Sequence, residues 1–187
     1  MEAGIWQQVT STVAMEFSDV PDAAEVTRIV LRLSLAALLG GLLGFEREHR
    51  GKAAGVRTHM LVSMGSALFV LLSLQVGMPT SDISRVLQGI IAGVGFLGAG
   101  AILKNDSHEK VQGLTTAAGI WLTAAIGVAA GMGREATAVL STLLALAIFS
   151  LMPRLLALLD RPGSPAAVSQ SETTIDTNPI PGNREKP

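Results

Sequence analysis

The chain has no cysteine and no tyrosine, and its aromatic content is only 4%. Without cysteine there can be no disulfide, no thiolate metal site and no cysteine nucleophile. Charge is scarce as well, at 16% of residues, and nearly balanced at a net −1. That balance gives no basic footprint for nucleic acid. The first fifteen residues contain Glu2 and no Lys or Arg, so no cleavable signal peptide is expected. No P-loop, zinc-binding motif or serine-nucleophile elbow occurs. The string Gly93-Val-Gly95-Phe-Leu-Gly98 has glycine spacing like that of a dinucleotide loop, but it lies within an apolar run and follows no strand.

Long apolar runs are what the chain does have. Hydrophobic residues make up 49% of it, and mean hydropathy is +0.46. Five runs can be read: Val26–Phe45, Thr58–Met78, Ile83–Leu103, Leu114–Ala130 and Ala136–Met152. A helix rises about 1.5 Å per residue, so roughly 17–25 apolar residues cross the hydrocarbon layer. The fold class expected is all-α integral membrane: a bundle of five transmembrane helices with the lipid bilayer as solvent. It comprises an extracytoplasmic segment over residues 1–25, a membrane domain over 26–160 and a disordered cytoplasmic tail over 161–187. The tail is rich in Pro, Ser, Thr and Asn, a composition too polar to offset the entropy of ordering. In the N-terminal segment Ile5, Val9, Val13 and Phe17 recur at i+4. That pattern suits either a short surface helix anchored by Trp6 or a loose terminus.

Basic residues set the expected orientation. Arg47, Arg50, Lys52, Arg57, Lys104, Lys110, Arg154 and Arg161 fall on one side, and Arg28, Arg32, Arg85 and Arg134 on the other. The positive-inside rule then places the C-terminus in the cytoplasm and the N-terminus outside. Short turns at Pro79 and at Gly131–Glu135 predict antiparallel neighbours. Pro153 and Arg154 are expected to end the fifth span, with Leu155–Leu159 running on along the membrane surface.

Glycine is plentiful where helices would meet. The first span contains Gly40 and Gly44, and the third contains Gly89, Gly93, Gly95, Gly98 and Gly100. Gly89, Gly93 and Gly100 share one face, with Gly95 and Gly98 roughly opposite, so the third span is expected to be sandwiched between neighbours. Close packing is the main expectation, and a hinge or a backbone-lined pathway is the alternative. The second span has a polar stripe of His59, Ser63, Ser66 and Ser73, which suits back-bonding to the preceding turn or a wet cavity.

Two clusters are candidate sites. Near the outer ends lie Arg32, Asp82, Arg85 and Gln88, where Arg32 is expected either to snorkel outward or to pair with Asp82. Asp82 could attract a cation at an outer mouth. At the inner ends Glu46, Arg47, Glu48, Arg57 and Lys104 form a collar. There the N-termini of the second and fourth spans, with Arg57, Lys104, Lys110, Thr115 and Thr116, could hold a phosphate or a lipid headgroup. The middle third of every span lacks an ionisable residue, which disfavours proton relays and ion-coupled carriers.

Longer strings carry a resemblance. Arg32-Leu33, Leu39-Gly40-Gly41-Leu-Leu-Gly44-Phe-Glu46-Arg47-Glu48 and Gly55-Val-Arg57-Thr58-His59 are similar to the N-terminal membrane domain of the MgtC/SapB family. So are Asp82, Arg85 and Gln88 ahead of Gly93-Val-Gly95-Phe-Leu-Gly98-Ala-Gly100, and Gly113-Leu-Thr-Thr-Ala-Ala with Trp121 and Ala124-Ala-Ile-Gly127. The likeness runs over about residues 28–135. It implies a multi-pass protein of the bacterial inner membrane, linked to low-magnesium and stress adaptation and, in pathogens, to virulence inside host cells. It implies a regulator that binds and restrains another membrane protein, an F-type ATP synthase being the named kind of target. Neither enzyme activity nor a cofactor is implied, and a homo-oligomer is compatible with it. The alternative is a small oligomeric transporter or channel for magnesium or another ion. Well-known members also carry a folded cytoplasmic domain of the ACT type, whereas a polar tail follows the fifth span here. Roles that need such a domain, such as sensing a soluble ligand, are therefore not among the expectations that the resemblance carries over.

Overall fold

The computed structural model describes residues 2–16, 22–104 and 111–159. The tail over 161–187, Phe17 and Lys110 lie outside the described residues. Helix α1 (Glu2–Glu16) is followed by α2 (Ala23–His49), α3 (Val56–Gln75) and α4 (Thr80–Gly100). A two-residue antiparallel ladder, β1 (Leu103–Lys104) with β2 (Val111–Gln112), leads into α5 (Leu114–Gly131) and α6 (Glu135–Leu159). Among the described residues, helices α2 to α6 are the five long enough and apolar enough to cross a membrane. Residues Glu2–Glu16 form a helix and not a loose terminus, with Ile5, Trp6, Val9 and Val13 all exposed.

The first and last spans are longer than their apolar runs. Helix α2 opens on Asp22, whose carboxylate accepts from the Glu25 N–H at 2.7 Å, and it continues past Phe45 through Glu46, Arg47 and Glu48. Helix α6 does not stop at Pro153 but carries it inside the helix. Proline lacks an N–H, so the bond to the carbonyl one turn back is lost, yet the apolar Leu155–Leu159 segment stays helical beyond it.

The centre of the bundle is α5, and not α4. Half of its apolar window is buried, against 17% for α4, and it packs against all four other spans. Its buried face reads Gly119, Thr123, Gly127 and Gly131, one residue per turn. A Cβ at Gly131 would lie 2.5 Å from the Ala67 carbonyl oxygen, and one at Gly127 would lie 2.8 Å from the Ser63 Cα. On the other side of α3, a Cβ at Gly40 would lie 2.5 Å from the His59 carbonyl oxygen, and one at Gly44 2.6 Å from the Val56 Cα. Helix α3 is thus clamped between glycine notches on α2 and α5. In lipid, where apolar surface gains nothing by leaving the solvent, such close backbone approach is what holds helices together.

The expected sandwich of α4 is corrected by the structure. A Cβ at Gly89, Gly93, Gly95 or Gly100 would meet nothing within 4 Å, and only at Gly98 would one touch a neighbour, Ala117 at 3.5 Å. Helix α4 buries the single stripe Ile83, Ile90, Val94 and Gly98, with Val86 and Leu87 half-buried beside it, and leaves the rest of its surface open. The short turn at Pro79 makes α3 and α4 successive, but they pack loosely. An apolar groove of about 560 Å³ lies between them, lined by Gly65, Phe69, Gly89, Gly93 and Leu97 among others.

Candidate functional site

The polar residues gather at one end of the bundle, where the last turn of α2 meets the starts of α3 and α5 and the late turns of α6. Arg47 is the centre of this cluster. It is only 3% exposed, and its guanidinium carbon sits 4.3 Å from the centroid of the Phe149 ring on α6. A cation against an aromatic face is stabilised by the ring quadrupole. The Arg47 Nη1 lies 3.5 Å from the Glu46 carboxylate, which also pairs with Arg50 one turn on. The Arg47 Nε is sealed from solvent and has no hydrogen-bond partner among the described residues.

His59, fully buried on α3, lies below this cluster. Its Nδ1 is 3.0 Å from the Gly55 carbonyl oxygen, an arrangement in which the ring donates, and its Nε2 has no partner. A Cβ at Gly119 would lie 3.6 Å from that Nε2 and 3.5 Å from the Phe149 ring, ordinary contact distances that place α5 directly against both the imidazole and the ring. Ser66 and Ser73 donate to the carbonyls of Val62 and Phe69, each at 2.8 Å, and Thr123 donates to Gly119 at 2.9 Å. The polar stripe of α3 is therefore buried, His59 and Ser63 against the α2 and α5 glycines and Ser66 beside the α3–α4 groove, with Ser66 and Ser73 satisfied within their own helix.

The two helix N-termini at this end differ. The α3 start is already occupied, because Glu48 Oε2 accepts from the Val56 N–H at 2.9 Å. At the α5 start, whose N-cap is Gly113 at φ 92°, no such carboxylate is found among the described residues. Thr115 in its first turn lines a vestibule of about 660 Å³ together with Arg47, Arg50, Lys52 and, from α6, Ile148, Phe149, Met152 and Pro153. Arg57, read from sequence as an anion ligand, is exposed and is not among the vestibule residues. Lys104 is placed by its backbone in the β1 strand.

At the opposite end the expected Arg32–Asp82 pair is not formed. Arg32 Nη1 donates to the Gly131 carbonyl at 3.1 Å, and its Nε lies 3.8 Å from Glu135. The guanidinium thereby caps the C-terminus of α5, where free carbonyls and a negative dipole end favour a cation. Gly133, at φ 72°, packs directly on it, in space a side chain would take. Asp82, Arg85 and Gln88 are exposed on α4, and neither Asp82 nor Arg85 makes an ion pair among the described residues.

Comparison with known proteins gives these positions a context. The model of the MgtC family matches residues 33–158, which is well over half the chain. The chain belongs to the MgtC family. Among its relatives, Protein SrpB of Synechococcus elongatus is 44% identical over 135 residues, 66% of this chain and 74% of that protein. The putative magnesium transporter YhiD of Escherichia coli is 45% identical over 130 residues, 64% of this chain and 60% of YhiD. Protein MgtC of Brucella abortus is 44% identical over 128 residues, 68% of this chain and 52% of that protein. The chain thus spans between about half and three quarters of the length of these relatives. No solved structure matches it. The MgtC-family segment takes in the Arg47 cluster, the vestibule and all of α4, and it begins one residue after Arg32.

The site that sequence reasoning missed is the contact between Arg47 and Phe149, which no local pattern announces. The α5 notches did have a signal, the i+4 spacing of Gly119, Thr123, Gly127 and Gly131.

Proposed function

We propose that this multi-pass member of the MgtC family is a non-enzymatic regulator of the bacterial inner membrane that acts by binding another membrane protein through the open face of α4. One observation carries the reading. Gln88 is exposed about 12 Å along α4 from Thr80, in line with the exposed Ala92, Gly95 and Ala99 at helical spacing. An amide facing hydrocarbon is costly unless it finds a partner, and small residues let a second helix come close enough to supply one. The unpacked glycines of α4 fit this face being completed by a helix from outside the chain. The absence of ionisable residues between Leu33 and Phe45, Met60 and Gln75, Val86 and Gly100, and throughout α5 supports contact over transport. An F-type ATP synthase is the kind of target this reading favours, in the setting of magnesium limitation or stress.

The test compares wild type with Gln88→Leu and Gly95→Leu in inverted membrane vesicles. ATP-driven proton pumping should fall when the wild-type protein is present and recover with either variant, while the unfolding midpoint of the bundle stays unchanged. A second copy of the chain as the partner would show as dimers cross-linked through α4. Saturable magnesium flux by the pure protein in liposomes would reject the regulator and favour a transporter. In that case Asp82→Asn should abolish the flux.

A further inference from the structure

We propose that the vestibule beside Arg47 is a binding site for a phosphate-bearing anion, either the headgroup of an acidic phospholipid or a free phosphate. The proposal is independent of the α4 face and of what that face binds.

Among the described residues, cations outnumber carboxylates at the vestibule. Arg47, Arg50 and Lys52 line it, while Glu46 is the one carboxylate that pairs with these cations among the described residues. Glu46 is divided between Arg47 and Arg50, and Glu48 is committed to the start of α3. A buried guanidinium carries five N–H donors and is costly to bury when they go unmet. Arg47 is 3% exposed, has its π face on Phe149 and keeps its Nε without a partner. Among the described residues its guanidinium is paired only with the Glu46 carboxylate, 3.5 Å from Nη1 and shared with Arg50, and phosphate oxygens offer several further acceptors in a geometry that matches the guanidinium fork.

A second element converges on the same space. The first turn of α5 presents the positive end of an 18-residue helix, its Gly113 N-cap supplies no side-chain acceptor, and the Thr115 hydroxyl lines the vestibule. Unmet N–H groups at a helix start bind anions readily. The comparison with α3 is internal to the molecule: there a carboxylate already fills the equivalent position. The remaining wall, Ile148, Met152 and Pro153, is apolar, with Ile148 and Met152 exposed. Cations and a helix start on one side with an apolar wall on the other suit an amphiphile whose phosphate meets Arg47 while its chain lies along α6.

The full-length protein, purified and delipidated in a neutral maltoside detergent, is unfolded thermally in three titrations. These use short-chain phosphatidylglycerol, short-chain phosphatidylcholine and inorganic phosphate. A saturable rise in midpoint with phosphatidylglycerol alone identifies a lipid headgroup, and a rise with inorganic phosphate identifies a soluble phosphate. In either case Arg47→Gln should remove the response. The double variant Arg50→Gln/Lys52→Gln should shift the half-saturating concentration up about tenfold, through loss of two charge-assisted contacts. If Arg47→Gln does not fold, the double variant carries the test alone, since both its residues are exposed. Silence in the phosphatidylglycerol and phosphate arms, an equal response to phosphatidylcholine, or an unaltered response in the folded variants overturns the proposal.

Discussion

Gly127→Ala and Gly95→Ala make the same chemical change on two neighbouring helices, and the structure assigns them opposite outcomes. At Gly127 the new methyl would collide with the Ser63 carbonyl and lie 2.8 Å from the Ser63 Cα. An ordinary carbon contact is about 3.5–4.0 Å, so α3 and α5 must part by roughly 1 Å. The obstacle is backbone, which cannot rotate away. Overpacking of this kind costs about 1–3 kcal/mol. At Gly95 the methyl meets nothing within 4 Å. Both variants gain the same helix-propensity term, about 0.5–1 kcal/mol, from loss of glycine's freedom in the unfolded chain. That term cancels in the comparison, so Gly127→Ala should be less stable than Gly95→Ala by the clash alone, about 1–3 kcal/mol. Reversible unfolding by sodium dodecyl sulfate titration in mixed micelles measures the difference. Equal midpoints, or a weaker Gly95→Ala protein, would refute the claim that α5 is the central helix and α4 the peripheral one.

Other substitutions probe the polar end. Glu48→Ala removes the acceptor at the start of α3 and should cost about 0.5–2 kcal/mol in the same titration. Glu46→Gln leaves the buried Arg47 without its carboxylate and should cost more, about 1–3 kcal/mol, because an uncompensated charge remains behind. Thr123→Val deletes a hydroxyl bonded only to its own helix and should change stability by less than about 1 kcal/mol, a result that separates packing from a water-lined path. Arg47→Lys keeps the charge but loses the flat face over Phe149, and thermal unfolding should show it weaker than wild type.

The apolar runs were legible because lipid imposes a length and a composition on whatever crosses it. All five spans lie within a few residues of where hydropathy placed them, and the differences fall at ends such as Glu46–His49, where a helix leaves the hydrocarbon while its hydrogen bonding continues. Neighbour order was not legible. Five glycines on α4 say that a close approach is possible there, and α5, whose notches are shared with threonine and alanine, is where the approach is made. The charged collar was visible as a set of residues but not as a site. Arg47 and Phe149 are far apart in the chain, and their contact depends on how α2 and α6 are rotated, which no short window encodes. Glu48 capping Val56 was hidden for a similar reason, since an acid before a turn reads as an ordinary interfacial charge.

The clamp around α3 bears on how the protein is built as it emerges from the ribosome. The first half of the clamp, α2 on α3, is complete once residue 75 has entered the membrane. Helix α4 follows, but the neighbour on which it chiefly rests has not yet been synthesised. It must wait in lipid, its stripe of Ile83, Ile90 and Val94 unseated, until α5 arrives to fill the other side of α3 and give α4 its place. A nascent chain stalled before Leu114 would therefore hold one finished hairpin and one helix still without its main neighbour.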